Sequence, residues 1–198
     1  GDVLAESPDV VVVATGGLPN TATVGDGADL AVTTWDILSG DATPAGKVLV
    51  LDDNGGHQAP IAAEFIAETG AQVEYLTPER MIAPEVGGLN LVPYIRSFDR
   101  LGVTVTPLQG IASIARAGNR LTATLRSPYT MATSGTREVD MVVIENGTLP
   151  LDDLYHALKP GSRNLGAVDY EALVANRLQM MATNPDGAYQ LFRIGDAV

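Results

Sequence analysis

The chain has 198 residues, of which 45% are hydrophobic, enough to bury the core of one large domain or two small ones. Its formal net charge of -12 argues against nucleic acid and anionic membranes as partners, because an acidic surface repels phosphate groups. The absence of cysteine rules out a disulfide framework, a thiol nucleophile and cysteine-ligated iron–sulfur clusters within the chain, and it favours a reducing, cytoplasmic location. The sequence also has no apolar run of membrane-spanning length and no basic segment typical of a signal peptide.

The first predicted strand is the apolar run DVVVVAT, residues 9–15, which ends at Gly16-Gly17. Its short length and β-branched content predict a strand buried on both faces, as in a parallel sheet. Further along, TWDILSG predicts a short helix with Thr34 as its N-cap and Gly40 after its end.

Residues 47–76, KVLVLDDNGGHQAPIAAEFIAETGAQVEYL, predict a strand, a glycine-containing loop, a helix and a second strand. Pro60 suits the first helical turn, where no backbone donor is required, and Gly70 suits the position after the helix. The residues expected to share the apolar face of this helix are Ile61, Ala62, Phe65, Ile66 and Thr69. Together these elements predict a right-handed βαβ unit.

The rest of the chain predicts a helix at residues 89–101, a hairpin around Gly118-Asn119 and a strand at residues 137–145. Short helices follow in LYHALKP and VDYEALVANRL, and a strand in GAYQLFRI. We therefore expect a central domain of residues 46–140. The flanking residues 1–45 and 141–198 are predicted to pair as one discontinuous domain.

The loop Asp53-Asn54-Gly55-Gly56-His57-Gln58 is the first candidate site. Free backbone N–H groups at a helix N-terminus and close approach at glycine suit a pyrophosphate, which points to Asn54, Gly55 and Gly56 as binding residues. However, only Gly55 falls on a fingerprint glycine position, since Asp53 and Gln58 replace the other two glycines. Spacing alone leaves a nucleotide loop and an ordinary turn equally open. The ribose contact expected at the end of the second strand would fall near Glu79 and Arg80.

Two further candidate sites follow predicted strands. Ala14-Thr15-Gly16 ends the first strand, and Gly195-Asp196 follows LFRI near the end of the chain. Ligands of open α/β sheets bind at the carboxyl ends of strands, but the local sequence of the first segment favours a plain turn, and the Gly-Asp pair alone is a weak signal. His57 is expected to be solvated or to hydrogen-bond a phosphate, and His156 is expected on the surface of a helix. The sequence predicts no metal site and no catalytic residue within this chain.

The segments DVVVVATGG, KVLVLDDNGGHQAP, VDMVVIENGTLP and LFRIGDAV resemble, in this order, the C-terminal half of the multidomain relatives of old yellow enzyme. That group contains 2,4-dienoyl-CoA reductase, trimethylamine dehydrogenase, histamine dehydrogenase, and the N-methylproline and dimethylglycine demethylases. The segments DDNGGHQAP, LTPER, GTLP, LYHALKP and SRNLG are most similar to the demethylase branch.

The resemblance implies an α/β fold in which a Rossmann-like, three-layer NAD(P)-type domain is inserted in a partial FAD/ADP-binding domain, as in glutathione reductase. It also implies that the chain is a fragment, inactive alone, of a longer enzyme. In that group an N-terminal TIM barrel carries FMN, the substrate and, usually, a cysteine-ligated 4Fe-4S cluster.

The resemblance also implies roles for the candidate residues. Ala14, Thr15 and Gly16 match a turn beside FAD or ADP, and Gly195 and Asp196 match a turn near the pyrophosphate or ribityl region. The loop at residues 53–58 matches the NAD(P) loop. Its two missing glycines leave NAD(P) binding open and favour the amine-oxidising branch.

Three functions remain open from the sequence. The first is oxidative demethylation of a small N-methylated amino acid or amine by the full-length flavoenzyme. The second is NAD(P)H-dependent reduction of a flavin or an enoyl substrate. The third is a nucleotide-binding or structural module without a redox role. The expected partners are a dinucleotide or ADP, and the sequence is compatible with a homo-oligomer.

Overall fold

The computed structural model describes residues 2–22 and 24–198 and divides the chain into two compact units. The smaller unit combines the N-terminal segment up to Leu18 with Thr148–Val198, and the larger unit is Pro19–Gly147. We had expected boundaries at residues 45/46 and 140/141. Residues 19–45 and 141–147 fall in the larger unit because they contribute two strands to its main sheet.

The strands are β1 (Val10–Val13), β2 (Gly17–Pro19), β3 (Val32–Thr33), β4 (Lys47–Asp52), β5 (Gln72–Thr77), β6 (Thr104–Pro107), β7 (Gly110–Ala117), β8 (Arg120–Arg126), β9 (Thr133–Val139), β10 (Met141–Glu145), β11 (Thr148–Pro150) and β12 (Gln190–Arg193). The α-helices are α1 (Asp2–Ala5), α2 (Thr34–Ser39), α3 (Gln58–Glu68), α4 (Gly88–Leu101), α5 (Asp153–Leu158) and α6 (Tyr170–Val174). No helix in these described ranges is long and apolar enough to cross a bilayer.

The larger unit is built on a parallel five-stranded sheet with the strand order β3-β10-β4-β5-β6. Alternate residues of the central strand β4 serve two cores. Val48 and Val50 pack with residues of the helices, whereas Leu49 and Leu51 pack with residues of an antiparallel sheet, β7-β8-β9. Helices, parallel sheet and antiparallel sheet thus form the three predicted layers.

The segment predicted as one strand at residues 137–145 is two strands in different sheets. β9 pairs antiparallel with β8, whereas β10 pairs parallel with β4. The chain changes sheets at Asp140, whose Oδ2 accepts a hydrogen bond from the Lys47 backbone N–H at 2.7 Å. The prediction of a single strand was wrong because both halves read as β-sequence and Asp140 is the only break.

Helix α3 faces the sheet with small side chains. Ala59, Ala62 and Ala63 are fully buried, while Ile61 and Phe65, predicted to lie on the apolar face, are 41% and 44% exposed. That part of the prediction was wrong, because small side chains let the helix approach the sheet closely and the larger ones point outward.

The smaller unit contains the parallel pair β1 and β12. Val11 and Val13 pack with Tyr155, Tyr189 and Leu191 in its core. The alternate residues of β1, Val10 and Val12, are 52% and 51% exposed. The expectation that β1 is buried on both faces was therefore wrong, because only alternate residues of this strand pack into the core.

Candidate nucleotide-binding sites

Two buried carboxylates end the neighbouring strands β4 and β10 of the larger unit. Asp52 and Glu145 are in register across the pair, and their exposed fractions are 0% and 5%. The glycine loop follows Asp52 directly, and the chain leaves the sheet after Glu145. The carboxyl edge of this sheet, where a ligand is expected in open α/β folds, is therefore built around two anionic side chains.

The Asp52 carboxylate binds the loop that follows it. Its Oδ1 atom accepts hydrogen bonds from the backbone N–H groups of Asn54 (3.2 Å) and Gly55 (2.8 Å). Its Oδ2 atom accepts a hydrogen bond from the Tyr75 hydroxyl. Burial raises the pKa of Tyr75 well above its usual value, and the Asp52 charge raises it further, so the phenol stays protonated and donates.

The Glu145 side chain holds the other side of the same loop. Its Oε1 atom accepts hydrogen bonds from the Asn54 side-chain amide (3.2 Å) and the Gly147 backbone N–H (3.0 Å). Its Oε2 atom accepts a hydrogen bond from the hydroxyl of Thr34. Thr34 was predicted to cap α2. Thr33 is the N-cap instead, in a capping box with Asp36, which leaves the Thr34 hydroxyl for Glu145.

The predicted loop residues Asn54, Gly55 and Gly56 are close together, but Gly55 is buried under another loop. Gly55 has φ +76°, and a Cβ atom on it would lie 3.0 Å from the ring of Pro84. The Gly55 carbonyl accepts the Glu85 backbone N–H at 3.0 Å. Gly56 faces Gln58, since a Cβ atom there would lie 2.5 Å from the Gln58 amide oxygen. The space that glycine leaves at position 55 is thus filled by Pro84 of the same chain.

Acidic groups dominate the electrostatics of this edge. Loss of hydration raises the pKa of Asp53 above its usual range, the charges of Asp52 and Glu79 raise it further, and Arg126 opposes the shift. Glu79 and Arg80, the predicted ribose and phosphate contacts, are exposed after β5. His57 was expected to be solvated or to meet a phosphate. Its ring is exposed, and its Nδ1 atom lies 2.9 Å from the Tyr94 hydroxyl.

The smaller unit brings its two predicted turns to one edge. Ala14-Thr15-Gly16 follows β1, and Gly195-Asp196 follows β12, so both lie at the carboxyl ends of paired parallel strands. Gly16 and Gly195 have φ +72° and +64°, and a Cβ atom on either would meet nothing within 4 Å. Both glycines therefore present open backbone, and Asp196 is exposed beside them.

Arg193, which the sequence analysis did not single out, supports the Gly195-Asp196 turn. Its Nη1 atom donates to Asp152 Oδ2 at 2.9 Å and to the Ala197 carbonyl at 3.3 Å. Its guanidinium lies 4.7 Å from the centre of the Tyr155 ring, a cation–π contact. The signal in the sequence was an arginine two residues before the Gly-Asp pair.

Three residues of the larger unit's loop site were also missed. Asp52 lies between the predicted strand at residues 47–51 and the candidate loop at residues 53–58, while Glu145 and Tyr75 were assigned to predicted strands. A carboxylate at the end of an apolar strand is the signal that could have indicated Asp52 and Glu145, because buried acids need nearby donors.

Curated proteins of two bacteria match nearly the whole chain. It is 49% identical over 196 residues, 99% of the chain, to a probable N-methylproline demethylase of Rhizobium meliloti (strain 1021). It is 41% identical over 200 residues, 96% of the chain, to N,N-dimethylglycine/sarcosine dehydrogenase of Chromohalobacter salexigens. The chain spans 29% of the length of each of these curated relatives. No family model matches the chain.

Solved structures give the same picture of the fold. The 6-hydroxypseudooxynicotine amine oxidase of Pseudomonas geniculata N1 has a TM-score of 0.72 and 25% identity, over 99% of this chain and 27% of that one. Histamine dehydrogenase of Rhizobium sp. 4-9 has a TM-score of 0.70 and 22% identity, over 99% of this chain and 28% of that one. A flavoprotein disulfide reductase of Escherichia coli, at 15% identity and a TM-score of 0.63, covers 94% of this chain and 38% of its own.

The fold is therefore that of the nucleotide-binding domains of flavoprotein oxidoreductases, which confirms the predicted fold class. More narrowly, the chain matches the C-terminal region of the multidomain group that includes these demethylases and amine dehydrogenases. The resemblance inferred from the sequence motifs is confirmed.

Proposed function

We propose that the chain is the nucleotide-binding part of a longer flavin-dependent enzyme that oxidatively demethylates a small N-methylated amino acid or amine. The observation that carries this proposal is the 49% identity, over 99% of the chain, to a probable N-methylproline demethylase. The 41% identity to a dimethylglycine/sarcosine dehydrogenase supports the same substrate class. The compounds in the names of both relatives are N-methylated amino acids.

In this proposal, the smaller unit belongs to an FAD/ADP-type domain, and the larger unit is the NAD(P)-type domain inserted in it. FAD or ADP would bind at the edge formed by residues 14–16 with Gly195 and Asp196. The open backbone at Gly16 and Gly195 suits close approach by a phosphate or ribose. The exposed Asp196 carboxylate is a hydrogen-bond acceptor for ribose or ribityl hydroxyls.

The chemistry itself is assigned to the rest of the enzyme. The described part of this chain offers no cluster of three or more metal-ligating side chains. Because the chain spans 29% of the length of the curated relatives, we place the substrate, FMN and a 4Fe-4S cluster in the part of the enzyme outside this chain, and we propose a cytoplasmic location. In this arrangement the residues of the chain bind and position a nucleotide and do not react with the substrate.

The proposal is tested with the full-length protein and a panel of matched substrates. N-methylproline, N,N-dimethylglycine and sarcosine are compared with proline and glycine, which lack the methyl group. We expect formaldehyde and bleaching of the flavin with at least one methylated compound and neither signal with the unmethylated ones. Bleaching by NADPH or NADH alone, with no formaldehyde from any amine, would favour a reductase instead.

The nucleotide of the smaller unit is tested separately. Acid extraction of the purified full-length enzyme should release ADP or FAD in addition to FMN, in about one equivalent per chain. A substitution of Gly195 by valine should lower that amount without lowering the FMN content. Equal loss of both nucleotides, or no loss of either, would contradict the assignment of Gly195.

A further inference from the structure

We propose that the Asp52 carboxylate occupies two backbone donors of the glycine loop, those of Asn54 and Gly55, that a dinucleotide phosphate would otherwise use, so that this self-liganded loop excludes NAD(P). The larger unit then serves as a scaffold with the shape of an NAD(P) domain. This inference concerns the larger unit alone and does not depend on the substrate proposed above.

The first observation is that Asp52 already binds two backbone N–H groups of the loop. In a Rossmann-type site, loop N–H groups at the start of the helix point at the pyrophosphate. Here the N–H groups of Asn54 and Gly55, which lie in the glycine loop before helix α3 begins at Gln58, point at Asp52 Oδ1, at 3.2 and 2.8 Å. Asp52 is fully buried, so this carboxylate is enclosed by the protein.

The second observation is that Gly55 is covered by a neighbouring loop. Gly55 stands at the fingerprint position that lets a phosphate touch the backbone. In this structure the ring of Pro84 covers that side of Gly55, since a Cβ atom on Gly55 would lie 3.0 Å from the ring. The Gly55 carbonyl accepts a hydrogen bond from the Glu85 backbone N–H. A phosphate could reach Gly55 only if the loop containing Pro84 moved away.

The third observation is that the loop is surrounded by acidic side chains and held in place by hydrogen bonds. A pyrophosphate brought to this edge would meet the carboxylates of Asp52, Asp53 and Glu79, which outnumber the opposing Arg126, and like charges repel. The loop is also held on its other side by the buried Glu145 carboxylate, which accepts hydrogen bonds from the Asn54 side chain and from the Gly147 backbone. Opening the loop would leave buried carboxylates without their donors, which is costly.

The experiment compares two variants of the full-length protein. Asp52→Ala with Tyr75→Phe removes the carboxylate and also the hydroxyl that would lose its acceptor. Tyr75→Phe alone is the matched control, since it keeps the carboxylate. NADH is titrated into each protein, and amide hydrogen exchange locates any binding to residues 52–60.

We expect NADH to leave exchange of residues 52–60 unchanged in the wild type and in Tyr75→Phe. The double variant should bind NADH at least about tenfold more tightly than Tyr75→Phe, with protection of these residues. Protection of the wild-type loop by NADH would overturn the proposal. If the double variant folds, judged by retained flavin, and binds no better than Tyr75→Phe, Asp52 does not exclude the dinucleotide. If it fails to fold, the wild-type exchange measurement alone decides.

Discussion

Asp52 and Glu145 lie side by side at the ends of two parallel strands, and each carboxylate accepts three hydrogen bonds. Both carboxylates bind Asn54. Asp52 accepts a hydrogen bond from the Asn54 backbone N–H, and Glu145 accepts one from the Asn54 side-chain amide. The loop that resembles a dinucleotide fingerprint is therefore held on both sides by acids that belong to the fold. This pair links the sequence motif, the packing of the loop and the proposed loss of NAD(P) binding.

Removal of the Tyr75 hydroxyl should destabilise the larger unit. Tyr75→Phe deletes a buried donor to Asp52 and leaves that oxygen without its partner, at a cost of about 1–3 kcal/mol. Urea unfolding measures the loss. Tyr129→Phe is the control, because Tyr129 is 68% exposed, and its effect should be close to zero. Equal effects of the two substitutions would show that the Tyr75–Asp52 hydrogen bond does not contribute.

Gly27 should tolerate alanine much less well than Gly40. Both glycines have left-handed backbone, with φ +82° and +86°, so alanine pays a similar conformational cost at each. A Cβ atom on Gly27 would lie only 1.8 Å from the Ile114 carbonyl oxygen, whereas one on Gly40 meets nothing within 4 Å. We expect Gly27→Ala to lose about 2 kcal/mol more than Gly40→Ala in thermal or urea unfolding. Similar losses would contradict the close contact with β7.

Asp140 should make stability depend on acid pH. The hydrogen bond from the Lys47 backbone, followed by the charge of Arg120, holds the pKa of Asp140 below its usual value of 3.8. A lowered folded-state pKa stabilises the fold above 3.8, and this contribution is lost as pH falls through the lowered value. The profile of unfolding free energy between about pH 5 and about pH 2 should therefore be flatter for Asp140→Asn than for the wild type. Parallel profiles would contradict this assignment.

Arg193 should hold the Gly195-Asp196 turn in place. Arg193→Met removes the hydrogen bonds to Asp152 and to the Ala197 carbonyl, so amide exchange in residues 194–198 should speed up about tenfold. The same variant of the full-length enzyme should retain less ADP or FAD. Arg177→Met is the control, since Arg177 is an exposed residue of the same unit. Unchanged exchange in Arg193→Met would remove the positioning role.

The sequence predicted most of the elements of the larger unit because their signals are local. The apolar run before the loop, Gly70 after α3 and the hairpin at Gly118-Asn119 each depend on residues a few positions apart. The order of four strand-to-glycine segments then indicated the protein group. Local signals are sufficient for elements and for motifs that lie within one segment.

The state of the glycine loop could not be predicted in this way, because its partners are distant in sequence. Tyr75 binds Asp52 across 23 residues, Glu145 binds Asn54 across 91, and Pro84 covers Gly55 from a separate loop. In the sequence, the two missing glycines are what weakens the fingerprint. The structure adds a carboxylate one residue earlier, at Asp52, whose role depends on tertiary contacts.

The central claim is tested most directly by anaerobic mixing of the full-length enzyme with N,N-dimethylglycine or N-methylproline and, in parallel, with NADH. We expect rapid flavin bleaching by an N-methylated amino acid and none by NADH on the same timescale. Rapid bleaching by NADH, with an N-methylated amino acid giving none, would contradict both the proposed demethylase function and the self-liganded loop.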